Sequence, residues 1–148
     1  MDGFSKCERI GREKMNILCE NLNLAFKENP KQYDCYDGTI EYHGKKYIVE
    51  LKDRSEKYNL DSILLEKSKY DNIIECCTTL SADGAYYVSF FSNDAYILKL
   101  DDSIDVEPIS IKANKHTSIS DGKIDKLVYM VPKNKFKKYR INGEKEDS

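Results

Sequence analysis

The stretch that decides the fold is DGTIEYHGKKYIVELK, residues 37–52. Its β-branched and aromatic residues on either side of a central glycine turn predict two strands that form a hairpin. Side chains along a strand alternate between the two faces, so Glu50 and Lys52 share one face while Leu51 points to the other, toward a core. The hairpin also folds Asp37 back toward Glu50. We therefore expect two carboxylates and one lysine to converge at one edge of a sheet.

These side chains are of the kinds that metal-assisted phosphodiester hydrolysis requires. The carboxylates of Asp37 and Glu50 can hold a hard divalent cation, which prefers oxygen ligands. The Lys52 ammonium adds a positive charge beside that cation, where a phosphate gains negative charge during the reaction. The residues alone leave a second interpretation open, a surface hairpin with ordinary exposed charges, because 34% of the chain is charged.

The pattern of Asp37 followed by Glu50-Leu51-Lys52 resembles the PD-(D/E)XK, or restriction-endonuclease-like, nuclease superfamily. In that family an Asp lies on one strand and Glu-x-Lys on the next. Tyr36 stands where the family motif has its proline. The resemblance covers about residues 5–100. It implies an α/β fold with a restriction-endonuclease-like core, in which a central mixed sheet is flanked by helices.

The same resemblance implies a metal site and a role for each side chain. Asp37, Glu50 and the backbone carbonyl of Leu51 would hold Mg²⁺ (or Mn²⁺). Lys52 would orient or deprotonate the attacking water and stabilise the transition state. A lysine held by carboxylates stays protonated, which favours electrostatic stabilisation over general-base catalysis. The implied products carry a 5′-phosphate and a 3′-hydroxyl.

A first helix is predicted over residues 5–28, where apolar residues recur at three- and four-residue steps. Many members of the superfamily carry a glutamate on this helix that reaches the metal, and Glu8 is the candidate here. The sequence from Ser5 to Glu8 is equally a capping box, in which Glu8 would bond the Ser5 amide instead. Both roles for Glu8 stay open.

A second helix is predicted over residues 62–78, with Asp61 as its N-cap. Lys69 on this helix resembles the equivalent position in archaeal Holliday-junction resolvases, which implies a catalytic position near the carboxylates. The alternative is a Glu66–Lys69 ion pair at i, i+3 on a half-exposed helix.

The rest of the chain predicts strands and one long connection. Residues 85–91 and 95–100 are two aromatic-rich strands joined by a turn, and residues 127–131 form a final strand that Pro132 ends. Residues 101–126 show little periodicity and are expected to form a long loop or insertion. We expect a single nuclease-like domain, residues 1–148, because that length can bury a core without metals or disulfides.

The charge of the chain is unevenly distributed. The formal net charge is −2, but residues 112–140 hold nine Lys or Arg against two Asp, a net charge of +7. We expect this basic third to pack on or beside the core and to contact phosphates, although a solvated lysine-rich tail would have the same composition. Arg54 lies in a charged loop after the second strand. It is a candidate phosphate contact, but the loop could equally be a solvated turn. The candidate nucleic-acid contacts are Arg54, Lys135, Lys137 and Lys138.

Two further properties suggest where the protein acts. The five cysteines lack a Cys-x-x-Cys pair and are expected to be reduced thiols of an intracellular protein. No apolar stretch is long enough to predict a membrane span. We expect a cytoplasmic protein, or one in the interior of a host cell if its origin is viral.

Together, the residues and the resemblance predict a Mg²⁺-dependent endonuclease that hydrolyses phosphodiester bonds in DNA. Structure-specific cutting of junctions or branches, in a phage or mobile element, is the expected role, and a homodimer follows from the need to cut two symmetric strands. The alternatives are an RNA-directed endonuclease on the same fold and a catalytically silent nucleic-acid-binding module.

Overall fold

The computed structural model describes residues 5–30, 36–54, 61–101, 104–114 and 123–146. Two helices and ten strands occur in these ranges, with one short 3₁₀ helix at Lys133–Lys135. In chain order they are α1 (Lys6–Asn21), β1 (Ala25–Glu28), β2 (Gly38–Tyr42), β3 (Lys45–Arg54), β4 (Ser62–Glu66), α2 (Lys67–Thr79), β5 (Gly84–Phe91), β6 (Asp94–Leu100), β7 (Ile109–Asn114), β8 (Lys123–Pro132), β9 (Lys137–Arg140) and β10 (Lys145–Glu146).

The strands form one large and one small sheet. The large sheet has seven strands in the order β1-β2-β3-β5-β6-β9-β10, and the small one has three in the order β4-β8-β7. The β3–β5 pair is parallel, whereas the other described pairs are antiparallel. The connection between β3 and β5 runs through β4 and α2, as a parallel pair requires a crossover. The prediction of an α/β fold with a central mixed sheet and helices is confirmed.

The predicted hairpin is present as β2 and β3. Its turn places His43 and Gly44 at φ +51° and +78°, the left-handed conformation that a tight two-residue hairpin turn needs. Gly38 pairs with Val49 across the hairpin, and the Asp37 amide donates to the Val49 carbonyl at 2.8 Å. Asp37 is thereby fixed against the middle of β3.

Both faces of the large sheet are covered, and each has its own core. The face against which α1 packs, here called the α1 face, contains Leu51 as predicted, together with Val49, and Met15 and Leu18 of α1 lie above them. The opposite face, the α2 face, packs against α2 and the small sheet. Among its core residues are Ile48, Tyr87, Tyr70, Ile73, Ile63 and Leu65. Glu50 projects toward this second face and is buried.

The first helix is shorter than predicted. It ends at Asn21 rather than 28, and residues 25–28 form β1, which pairs with β2. Asn23 takes a φ of +57°, which an asparagine tolerates and which turns the chain out of the helix. Gly38 permits the close approach of β1, because a Cβ there would lie 2.5 Å from the Phe26 ring.

The second helix is also shorter than predicted. Residues 62–66 are the strand β4, and α2 begins at Lys67 with Glu66 at the N-cap in place of Asp61. Ile63 and Leu65 alternate into the core and pair with β8. A five-residue segment with three central apolar residues fits a strand as well as a helical turn, so the local pattern did not separate the two.

The C-terminal third is more regular than predicted. Residues 109–114 and 123–132 are the strands β7 and β8, so the prediction of a loop over 101–126 is wrong for 109–114 and 123–126. It holds for residues 104–108, which form no helix or strand, and residues 102–103 and 115–122 lie outside the described residues. The chain continues past Pro132 into β9, which pairs with β6. The basic third is therefore built into both sheets rather than forming a loose tail.

The cysteines differ in state. Cys7, Cys19 and Cys77 are free, whereas Cys76 is disulfide-bonded, so the prediction of reduced thiols is wrong at Cys76. Cys35 lies outside the described residues. Spacing along the chain did not reveal this bond, because a disulfide depends on proximity in space.

In the described part of the chain, neither α1 nor α2 is long and apolar enough to cross a membrane.

Candidate active site

Asp37 stands at the entry to β2 with both carboxylate oxygens engaged. Its Oδ2 accepts a hydrogen bond from the Leu51 amide at 2.7 Å. Its Oδ1 lies 3.3 Å from Nη2 of Arg12 on α1. The Asn29 amide also donates to the Asp37 carbonyl at 2.8 Å. The carboxylate is therefore held in one orientation against the segment of β3 that carries Glu50.

Glu50 lies in the middle of β3 and is only 7% exposed. Burial, followed by the neighbouring Asp37 carboxylate, raises the pKa of Glu50 to about 8. The two carboxyl groups are close enough to hydrogen bond to one another. Two like charges in a poorly solvated place favour sharing a proton or binding a cation. The predicted convergence of Asp37 and Glu50 is thus present.

Lys69 reaches this carboxyl pair from the first turn of α2. Its Nζ lies 3.3 Å from Glu50 Oε1. Partial burial acts to lower the pKa of Lys69, but the Glu50 carboxylate outweighs it with help from Asp37, so the pKa is raised overall. The predicted lean of Lys69 toward the carboxylates is observed, and its catalytic role stays a prediction. The alternative Glu66–Lys69 pair does not form, because Glu66 Oε1 accepts from Lys126 Nζ at 3.3 Å instead.

Lys52 lies two residues beyond Glu50 on β3 and projects to the same α2 face. It is exposed, and it makes no ion pair with any residue that the structure describes. Its neighbour on β5 is Ser89, which is fully buried. Lys52 therefore presents an exposed ammonium group on the same sheet face as Glu50, two residues further along β3.

Two predicted contacts have other partners. Glu8 is exposed and closes the capping box of α1: its Oε1 accepts from the Ser5 amide, while its own amide donates to Ser5 Oγ. The structure thus realises the capping role, and metal binding by Glu8 stays a prediction. Arg54 ends β3 and turns inward, where Nη2 donates to the Leu64 carbonyl and the Tyr87 hydroxyl, each at 2.7 Å. Arg54 thus has a structural role between β4 and β5, and its contact with phosphate stays a prediction.

The predicted lysine contacts of the last third do not form one patch. Lys137 and Lys138 are adjacent in β9 and so project to opposite faces of the large sheet. Lys138 lies 3.8 Å from Asp94 and over the Tyr96 ring. Lys135, in the 3₁₀ helix, lies 3.9 Å from the exposed Asp105. These three lysines therefore do not share one surface, and their contact with nucleic acid stays a prediction.

Arg12 is a site residue that the sequence patterns did not identify. It is 2% exposed, and Nη1 donates to the Asn29 carbonyl at 2.7 Å and lies 3.5 Å from Glu28. With Nη2 on Asp37, its guanidinium ties α1 to the entry of β2. Arg12, Met15 and Cys19 occupy one apolar stripe of α1, and a charged residue in such a stripe is the signal that could have identified it.

We expect Arg12→Met to lower the free energy of unfolding by about 3 kcal/mol, because it leaves a carboxylate without its buried partner. Thermal denaturation of the metal-free protein measures the change. Arg9→Met is the matched control, since Arg9 is a 36% exposed arginine on the same helix that also approaches Glu28. Equal stability of the two variants would show that the Arg12–Asp37 contact contributes nothing.

Comparison with protein-family models and with curated proteins finds no match for this chain, so what it does has to be argued from the arrangement of these side chains.

Proposed function

We propose that this protein is a metal-dependent nuclease that hydrolyses phosphodiester bonds in DNA. The observation that carries the proposal is the meeting of Asp37, at the entry to β2, with Glu50 of β3, beside the Lys69 ammonium. Lys52 adds an exposed positive charge on the same face as Glu50. A carboxyl pair flanked by cations suits a reaction in which a phosphate gains negative charge.

The topology supports a restriction-endonuclease-like core. The chain order is a helix, an antiparallel set of three strands, a second helix and a strand parallel to β3. This agrees with the order of helix, strands, helix and strands that the resemblance implies. The small sheet and β9 are additions around that order.

The donor set fits a hard divalent cation. Asp37 and Glu50 supply carboxylate oxygens and Leu51 supplies a backbone carbonyl, which are ligand types that Mg²⁺ and Mn²⁺ accept. Within the described ranges no group of three His, Cys, Asp or Glu side chains forms a site alone. Mg²⁺ typically keeps several waters and uses one or two carboxylates together with substrate phosphate, so two carboxylates are enough.

A bound Mg²⁺ would lower the pKa of a water molecule and neutralise charge on the phosphate. The protein's own groups hold and orient the two carboxylates that would bind the cation. Arg12 and the Leu51 amide fix the direction of Asp37. Lys69 favours the ionised form of Glu50, which is the form that binds a cation. Lys52 is free to contact a non-bridging phosphate oxygen as its charge grows.

The proposed substrate is branched or junction DNA cut by a homodimer, in a phage or mobile element. The test is incubation with Mg²⁺ or Mn²⁺ and labelled four-way junction, flap, linear duplex, single strand and RNA. We expect metal-dependent cutting of DNA that leaves 5′-phosphates. Cutting of RNA alone would favour the RNA-directed alternative, and binding without any cutting would favour a silent binding module.

We expect Lys52→Ala to lower the single-turnover cleavage rate by about 10²-fold, because it removes charge stabilisation from the transition state. Calorimetric titration with Mg²⁺ should give unchanged affinity, since Lys52 holds no metal. Lys46→Ala is the control, another exposed lysine of β3 on the same face. A Lys52→Ala variant that cuts at the wild-type rate would remove this residue from the mechanism.

A further inference from the structure

The α1 face of the large sheet carries an open groove. Among the described residues, one helix of 16 residues packs on this face of the seven-stranded sheet, and a cavity of about 470 Å³ lies beside α1. Its floor is apolar and consists of side chains from α1 and the sheet, among them Leu18, Leu22, Ile40, Val88 and Ile97. The groove is separate from the carboxyl pair, because Glu50 projects to the α2 face.

Four tyrosines line the groove. Tyr47 and Tyr86 meet edge to face, with ring centroids 5.3 Å apart. Burial, followed by the nearby Tyr47 and Tyr139, raises the pKa of Tyr86, so three of the rings lie close to one another. Tyr42, at the hairpin end of the groove, is 51% exposed. These rings are accessible in part and do not simply fill the core.

Three exposed lysines project from the same face. Alternation along each strand places Lys45, Lys99 and Lys137 with the groove tyrosines. Lys45 pairs with Tyr42, Lys99 pairs with Tyr86, and Lys137 pairs with Ile97 of the floor. Gly84 leaves room between the Tyr47 ring and the Lys99 stem, since an added Cβ would contact both.

The positive charge of this groove is not neutralised by described neighbours. None of the three lysines makes an ion pair with a residue that the structure describes. The acidic side chains of the described strands on this face, Glu28 and Asp53, are already paired with Arg12 and Lys14. Lys137 lines the cavity itself, whereas Lys45 and Lys99 lie beside it as strand partners of lining tyrosines. This face therefore offers an apolar floor, aromatic rings and cations together.

We propose that this tyrosine–lysine groove, formed by these four tyrosines and three lysines over the apolar floor, binds a single-stranded nucleic acid. Aromatic side chains accept the flat faces of unpaired bases, and lysines accept the phosphates that connect them. A duplex hides its base faces, so it could use the lysines but not the rings. The groove extends the proposed nuclease function with a second contact for an unpaired strand, away from the site of cleavage.

The test is binding of a fluorescent oligothymidylate of about 12 nucleotides to the wild-type protein in EDTA, so that no cleavage occurs. Tyrosine emission gives a second signal, because the chain holds 11 tyrosines and no tryptophan. For the double variant K99Q/K137Q we expect the slope of log affinity against log salt to fall by about 0.7 for each phosphate that a lysine no longer neutralises. For Tyr42→Ala we expect about tenfold weaker binding, because one base loses its stacking partner.

Lys46→Gln is the matched control, because Lys46 neighbours Lys45 on β3 but projects to the opposite face. An unaltered salt slope in K99Q/K137Q would overturn the proposal. So would equal binding of duplex, or displacement of the oligonucleotide by an acidic peptide but not by unlabelled strand. This binding assay contains no metal and is independent of the cleavage assay with Mg²⁺ or Mn²⁺. A protein that binds the oligonucleotide in EDTA but cuts no substrate with metal would support the groove and refute only the proposed nuclease activity.

Discussion

Asp37→Ala is expected to reduce metal-dependent cleavage by about 10³-fold or more. The variant removes one of two carboxylates that would hold the cation, and a metal contributes several kcal/mol of transition-state stabilisation. Asp37 is also the carboxylate whose direction is set by Arg12 and the Leu51 amide, so no neighbouring group can replace it in the same place. Glu50→Ala should have a comparable effect.

Calorimetric titration with Mg²⁺ and Mn²⁺ separates this effect from misfolding, provided that thermal denaturation shows each variant to be folded. Asp71→Ala is the control, because Asp71 is an exposed carboxylate of α2 whose partner is Lys67. Wild-type metal affinity in both the Asp37 and Glu50 variants would place the metal elsewhere and end the proposed mechanism.

Glu50→Gln is expected to stabilise the metal-free protein at alkaline pH. The pKa of Glu50 is about 8 when folded against an ordinary value of 4.5, so the folded state holds a proton that the unfolded state releases. The contribution of Glu50 to the free energy of unfolding is complete below pH 4.5, its unfolded pKa, and is lost as the pH rises to about 8, its folded pKa. The decrease is about 1.4 kcal/mol for each pH unit in that window.

Above pH 8 the difference in unfolding free energy between Glu50→Gln and the wild type should be about 5 kcal/mol, or about 15 °C in Tm for a chain of this size. Near pH 4.5 the two proteins should melt alike. Mg²⁺ should raise the Tm of the wild type at pH 8 and leave Glu50→Gln unchanged, because the cation binds the ionised carboxylate. Glu41→Gln, an exposed position of the same hairpin, serves as the control. Parallel curves of Tm against pH for wild type and Glu50→Gln would contradict the buried, high-pKa state.

The parts of the fold that could be predicted are those specified by residues near one another in the chain. The hairpin of β2 and β3 follows from alternation around Gly44. The approach of Lys69 to Glu50 was expected only from the family resemblance and not from the local pattern. The parts that could not be predicted depend on distant partners. Ser62–Glu66 becomes a strand because β8 supplies its hydrogen bonds, and nothing within those five residues shows it.

The same limit applies to the site. The carboxylates were identifiable because their spacing matches a known pattern. Arg12 was not, because its importance arises from contacts with Asn29 and Asp37 across the fold. Arg54 carries the charge of a phosphate contact but is used to join β4 and β5. Charge alone therefore did not distinguish a binding side chain from a structural one.

The pairing of β4 with β8 has a consequence for how the protein folds. Ser62 pairs with Pro132, so β4, which leads directly into α2, forms its sheet only after β8, about 60 residues further along the chain, is available. Contacts of such long range close late, because a large loop must be ordered first. A polypeptide released after Leu100 would contain Asp37, Glu50 and Lys69. It would lack β8, which pairs with β4 and so holds the start of α2, the helix that carries Lys69. The proposed nuclease activity is therefore expected to appear only once the C-terminal third has folded.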